Sequence, residues 1–227
     1  FTLKQGETLG IVGKTGSGKT AILKLLMREF EGYRGTIMYG DHSIVAYKKR
    51  ALREAIGYVP QDHFLFSTTV AGNIAFANAD ATMDEIYEAA RLANIHEDIL
   101  QFTDGYNTIV GERGVSLSGG QKQRISIARA LMMKPELLIL DDSLSAVDAR
   151  TEEAILESLK KSRTDETTII TSHRLSAIAH AHQIIVMDEG TIKEKGTHEE
   201  LMELKGMYYE MYQLQQLENL VEKGRDV

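Results

Sequence analysis

The sequence predicts a mixed α/β fold built on a mostly parallel sheet with helices on both faces. Three observations carry this expectation. Short apolar or β-branched runs alternate with segments of helical period, the first such run leads straight into a glycine-rich loop, and a long helical region lies in mid-chain. At 227 residues, 43% of them hydrophobic, the chain is long enough to bury a core of its own as one domain.

Taken in order, Phe1–Lys4 reads as the end of a strand already under way, so the chain is expected to be a piece of a longer polypeptide. Leu9–Val12 is a short apolar strand. Ala21–Phe30 has helical spacing at Ile22, Leu25, Leu26 and Glu29. Gly35–Tyr39 and Ala55–Val59 read as strands, the second ended by Pro60 and Gln61. From Thr82 to about Leu131 the pattern is helical, interrupted by a loop over Thr103–Ser118, and it reads as a lobe inserted into the sheet. Leu137–Asp141 is a buried strand and Ala149–Lys161 a polar-faced helix. Thr167–Thr171 and Gln183–Met187 are further strands, and His198–Leu220 is helical with a break at Gly206. The expected organisation is a single domain over 1–227, with a core lobe of about 1–75 and 134–227 around a helical lobe of about 76–133.

Composition narrows the function classes. There is no cysteine, which excludes disulfides and thiolate zinc sites. With 33 acidic against 26 basic residues, the net charge of −7 gives no support for nucleic-acid binding. No apolar run approaches the roughly 20 residues of a membrane-spanning helix, and Phe1–Gly10 lacks the basic start and apolar stretch of a signal peptide.

Two motifs carry chemistry. Gly13-Lys14-Thr15-Gly16-Ser17-Gly18-Lys19-Thr20 matches G-x-x-x-x-G-K-[ST] between a strand and a helix, the context that this phosphate-binding loop requires. Its glycines let backbone N–H groups wrap a phosphate, Lys19 reaches the β- and γ-phosphates, and Thr20 offers a hydroxyl to Mg²⁺. The apolar strand ending in Asp141 is the matching metal-holding acid. The second motif is Leu117-Ser118-Gly119-Gly120-Gln121, where Ser118 is placed to cap a helix over Gln121–Leu131 and the glycines expose N–H groups as another anion site.

With both motifs in this order, the chain resembles the ATP-binding cassette of an ABC transporter over nearly its whole length. The resemblance implies a P-loop NTPase core with a mostly parallel sheet, an antiparallel β part and an inserted α-helical lobe. It implies ATP and Mg²⁺ as ligands, with Gly13, Thr15, Gly16, Ser17, Gly18, Lys19 and Thr20 on the nucleotide and Thr20, Gln61 and Asp141 at the metal. Ser118, Gly119, Gly120 and Gln121 are expected to reach the nucleotide held by a second cassette, so one cassette does not complete a site alone. His173 looks like the histidine that contacts the γ-phosphate, and Gln61 like the glutamine that contacts the metal and relays to the membrane part. Ser145–Asp148 is similar to the segment that crosses the dimer interface, and Gly111-Glu112-Arg113-Gly114 to a segment typical of exporters. A membrane domain is expected upstream of Phe1, which places the cassette at the cell membrane on its cytoplasmic face. The surface over Gln61–Asn73, with Phe64-Leu65-Phe66, is expected to meet that domain through an exposed aromatic pair.

The chain departs from the family pattern at Asp142, where an acid that orients the attacking water is normally Glu. Asp is one methylene shorter, so its carboxylate falls short by about 1.3–1.5 Å. A misplacement of about 1 Å costs on the order of a hundredfold in rate. Catalytic roles are therefore expected at Asp142, His173 and Gln61, with Asp142 marking a degenerate site in one half of a heterodimeric exporter. A homodimer with slow turnover, a soluble ABC ATPase and an importer subunit are the alternatives. The adenine-stacking aromatic of the family would lie upstream, and Phe1 does not take that role. His180 and His182 read as incidental, Lys48-Lys49-Arg50 as a solvated face, and Tyr208, Tyr209 and Tyr212 as packing residues.

Overall fold

The computed structural model describes residues 1–111 and 115–223. Its strands are β1 (Thr8–Gly13), β2 (Met38–Tyr39), β3 (His42–Ser43), β4 (Ile56–Val59), β5 (Leu137–Asp141), β6 (Thr167–Thr171), β7 (Gln183–Asp188) and β8 (Thr191–Gly196). Its helices are α1 (Lys19–Leu26), α2 (Lys49–Glu54), α3 (Val70–Ile74), α4 (Met83–Leu92), α5 (His96–Leu100), α6 (Gly119–Met132), α7 (Ala149–Ser162), α8 (His198–Leu204) and α9 (Met207–Lys223).

Six strands form one sheet in the order β4-β5-β6-β1-β7-β8, parallel except for the last pair. The central strands are runs of apolar and β-branched residues because both of their faces are covered. Alternate residues serve opposite sides. Leu138 and Leu140 of β5 join a cluster with α6 and α7 residues such as Ile125 and Ile155. Leu137 and Ile139 join Leu23 of α1 and Leu52 of α2 on the other side. Gly10 is required where Ile178 lies on β1, since a Cβ there would sit 2.7 Å from the Ile178 Cβ.

Most elements fall where the sequence places them, with α6 and β5 among the best matched. Phe1–Lys4 is a correction. This stretch is not a strand, because the chain turns over Lys4–Glu7 through Gly6 at φ 78° and pairing begins only at Thr8. The strand expected over Gly35–Tyr39 shortens to Met38–Tyr39, paired antiparallel with β3 in a separate ribbon. Strand β8 is an addition, with the polar sequence TIKEKG at a sheet edge where lysines discourage further pairing. Helix α3 is another, capped by Thr69, whose side chain accepts the Gly72 N–H at 2.9 Å. Lys48-Lys49-Arg50 is exposed as expected, at the start of α2.

The C-terminal helices are fixed by polar contacts. Tyr208 is fully buried and its hydroxyl meets Nδ1 of His198 at 2.8 Å. The Glu194 carboxylate accepts the backbone N–H groups of Met207 and Tyr208 at the start of α9. Gly206 makes room for it, since a Cβ there would lie 2.1 Å from Glu194 Oε1. Removing this cap frees two helix N–H groups and costs about 1 kcal/mol. We therefore predict that Glu194→Ala lowers the melting temperature by about 2–4 °C, measured by calorimetry, while Glu194→Gln recovers part of the loss.

Candidate functional site

Strand register assembles the site. Thr171 pairs with Asp141 on one side and with Ile11 on the other, and Gly13 pairs with Met187. The carboxyl ends of β5, β6 and β1 thus lie next to one another, the edge at which parallel α/β sheets bind ligands.

The glycine-rich loop leaves β1 here. A Cβ at Gly13 would lie 2.2 Å from the Met187 carbonyl, so only glycine lets the loop pass. Gly18 has φ 100° and turns the chain into α1. The loop is closed by the Ser17 N–H donating to the Lys14 carbonyl at 3.1 Å and the Gly190 N–H to the Ser17 carbonyl at 3.1 Å. Thr15 and Gly16 are exposed on its outer turn. Lys19 is buried and donates from Nζ to the Gly13 carbonyl at 2.8 Å and the Lys14 carbonyl at 3.1 Å. Burial pushes its ammonium pKa below the ordinary lysine value, against the opposing pull of Asp142 and Asp141.

Asp141 is nearly inaccessible, at 3% exposure, and its charge is met by three hydroxyls. Thr171 donates to Oδ1 at 2.6 Å, Thr20 to Oδ1 at 3.2 Å and Tyr58 to Oδ2 at 3.0 Å. Burial and the Asp141 charge push the Tyr58 phenol well above its ordinary pKa. Asp142 follows at φ 47°, a left-handed conformation that Asp adopts more readily than most residues. Its N–H is shared between the Thr171 carbonyl and hydroxyl, both at 3.0 Å. Its carboxylate Oδ2 accepts from Gln61 Nε2 at 3.3 Å, so the structure brings these two candidate residues together. His173 stands exposed on the turn after β6.

The residues fit a nucleotide triphosphate and a magnesium ion. Ser17 Oγ is buried without a partner inside the loop, and a Cβ on Gly16 would meet nothing within 4 Å, leaving its backbone approachable. One carboxylate beside a threonine hydroxyl is the hard oxygen set that Mg²⁺ takes while keeping most of its waters.

The second motif forms the cap that its sequence implies. Ser118 Oγ accepts the Gln121 N–H at 3.2 Å, and Gln121 Oε1 accepts the Ser118 N–H at 3.1 Å. Gln121 Nε2 donates to Asp98 at 3.3 Å, so both ends of this side chain hold the turn. Arg124 binds Asp98 with two nitrogens, at 2.8 and 2.9 Å. Burial raises the Asp98 pKa, but the hydrogen bonds and charge of Arg124, with help from Gln121, outweigh it and hold the carboxyl below its ordinary value. A Cβ at Gly120 would lie 3.0 Å from the Ala146 carbonyl, and the buried Gln123 accepts the Ala146 N–H at 3.0 Å. The capped turn therefore rests on Ser145–Asp148. Arg174 holds that segment from the other side, donating to the Val147 carbonyl at 2.8 Å and the Ser145 carbonyl at 3.1 Å.

Tyr58, Gln123 and Arg174 are site residues that sequence reasoning missed, since only register and packing bring them here. The exposed aromatic pair is corrected. Phe64 is exposed and Leu65 buried, but Phe66 is half-buried, stacked on Phe76 at 3.9 Å with the Arg129 guanidinium over its ring. Tyr212 packs edge-on against His198 with ring centroids 5.4 Å apart, and Tyr209, three residues earlier, is half-buried. His182 Nδ1 accepts the Thr8 N–H at 2.9 Å, and His180 is exposed. Glu112, Arg113 and Gly114 lie outside the described residues.

Thr171 serves both acids at once, which yields a prediction. Thr171→Val keeps the shape but leaves Asp141 short of a donor and the Asp142 N–H with the Thr171 carbonyl alone. Loss of such buried partners costs about 1–3 kcal/mol. The melting temperature should fall by about 2–12 °C, and the Mg²⁺ concentration needed for half-maximal ATP hydrolysis should rise.

Comparison with known proteins agrees with this geometry. The family model described as ABC transporter matches residues 1–145. The chain is 53% identical over 224 residues to a probable multidrug resistance ABC transporter ATP-binding/permease protein, YheI, of Bacillus subtilis (strain 168), covering 99% of this chain and 38% of the relative. It is 51% identical over 218 residues to the multidrug resistance-like ATP-binding protein MdlA of Escherichia coli (strain K12), covering 96% of this chain and 37% of the relative. A solved bacterial Atm1-family ABC exporter with ATP bound superposes with TM-score 0.90 at 41% identity, over 93% of this chain and 37% of that one. The chain thus spans well under half the length of these relatives. A phosphate loop, a hydroxyl-held acid and a capped LSGGQ turn on one α/β sheet agree with the family match, and the chain belongs to the ABC transporter family as an ATP-binding cassette of exporter type.

Proposed function

We propose that this chain powers export across a membrane by pairing head to tail with a second cassette, and that its own nucleotide site is the weaker of the two. The observation that carries this reading is Asp142, a carboxylate one methylene short of the usual glutamate, tied to Gln61 at 3.3 Å beside the metal-holding Asp141. In the pair, Lys19 and the loop N–H groups bind the β- and γ-phosphates of ATP. Thr20 and Asp141 would hold Mg²⁺, with Gln61 close by on the Asp142 carboxylate. The ion, when bound, neutralises phosphate charge as the γ-phosphoryl leaves. Asp142 orients the attacking water, from too far back to do it well. His173 contacts the γ-phosphate.

Ser118, Gly119, Gly120 and Gln121 form the cap that meets the nucleotide of the partner cassette, which we read as a different chain with an intact glutamate. ATP then closes the pair, and hydrolysis at the partner's loop reopens it, shifting a membrane domain between its two states. The names of the relatives, ATP-binding/permease and multidrug resistance, favour a fused or associated membrane domain and a multidrug-type cargo. Phe64, exposed beside the half-buried Phe66 and the exposed Phe76 stacked on it, is the contact we assign to that domain on the cytoplasmic face.

Two substitutions in the full-length pair test the reading. Asp142→Glu is expected to raise hydrolysis at this chain's own site by up to about a hundredfold, while leaving ATP affinity within twofold. Ser118→Arg is expected to stop turnover at the partner's site, because a bulky cation replaces the cap. Unchanged turnover in Asp142→Glu, together with hydrolysis by pairs of this chain alone, would favour the slow homodimer instead.

A further inference from the structure

Helix α9 reaches the nucleotide edge of the sheet through one side chain, Gln215. Its Oε1 accepts the Leu175 N–H at 2.9 Å, and its Nε2 donates to the His173 carbonyl. The amide of Gln215 thus pairs with the backbone on both sides of Arg174, as a neighbouring strand would. The turn it grips is exposed at His173 and Arg174 and is tied besides by the Arg174 N–H to Ser172 Oγ at 2.9 Å. The support is itself rigid. The start of α9 is capped by Glu194 of β8, and Tyr208 in its first turn is fully buried. Arg174, between the two gripped residues, in turn holds the carbonyls of Ser145 and Val147 and sits 3.4 Å from the buried Glu152.

From this geometry we infer that Gln215 is a positioning residue for His173, making the C-terminal helix α9 part of the γ-phosphate sensor of this chain's own site. The inference rests on the reading of His173 as the γ-phosphate contact. Gln215 touches no nucleotide. It fixes the backbone from which the His173 ring projects, and a hydrogen bond to a phosphate oxygen weakens steeply when its donor drifts. The effect belongs to ATP and not to ADP, since the γ-phosphate is what distinguishes them.

The test measures binding of ADP and of the imido analogue of ATP to this chain's site in the full-length pair. The variants are Gln215→Leu, Gln215→Glu, His173→Ala and the double variant, with exposed Leu217→Gln as a control on the same helix. His173→Ala is expected to weaken analogue binding about tenfold, the loss of one hydrogen bond to a charged group. Gln215→Leu should weaken it about three- to tenfold, and Gln215→Glu less, since it keeps the acceptor for Leu175. ADP affinity should stay within twofold throughout. Adding Gln215→Leu to His173→Ala should change nothing further, the non-additivity expected of two residues acting as one. Hydrogen exchange over 172–178 should quicken in Gln215→Leu and not in Leu217→Gln. Equal losses for ADP and the analogue, or additive losses in the double variant, would reduce Gln215 to a structural contact and overturn the inference. Faster exchange with unchanged analogue binding would also overturn it. If His173→Ala alone leaves analogue binding intact, the reading of His173 fails first and the inference falls with it.

Discussion

The site depends on one buried charge. Asp141 ends a strand with both faces in the core, where an unpaired carboxylate would be costly. The fold meets that cost with hydroxyls from three elements: Thr20 of α1, Tyr58 of β4 and Thr171 of β6. None of the three carries a positive charge, and the Lys19 ammonium feels the remaining pull of the acid. The same contacts fix the separation of the phosphate loop from the neighbouring strands. A slip of one residue between β5 and β6 would move Thr171 to the opposite face and undo the arrangement.

From this centre the structure extends in a chain of polar contacts. Thr171 binds Asp142, whose carbonyl accepts from Ser145 Oγ at 2.9 Å. Ser145–Asp148 lies between the Ser118 cap, reached through Gln123, and Arg174 beside His173. These contacts are geometrically specific but individually modest, each worth about 1 kcal/mol. The apolar clusters on either side of the sheet hold the fold around them.

Much of this is legible in the sequence, for a physical reason. Strands covered on both faces appear as contiguous apolar or β-branched runs, so β5 and β6 can be read to the residue. The phosphate loop and the Ser118 cap are short contiguous strings whose function resides in local backbone geometry. What stays hidden has other causes. Strand β8 carries little apolar signal because it is mostly exposed, and Phe1–Lys4 alternates like a strand but is turned away at Gly6. Tyr58 lies 83 residues from Asp141, and Gln215 lies 42 from His173. Contacts of that span depend on sheet register and helix docking, which no local pattern encodes.

In the function proposed, two unequal sites share one pair of cassettes, with this chain supplying the weak acid to its own and the capped turn to the other. This arrangement is tested most directly by the nucleotide content of the wild-type full-length pair, trapped after a single closure on ATP and separated by chromatography. One ADP and one intact ATP per pair are expected, with the ATP on the chain carrying Asp142. Two ADP per pair, formed at similar rates, would contradict it.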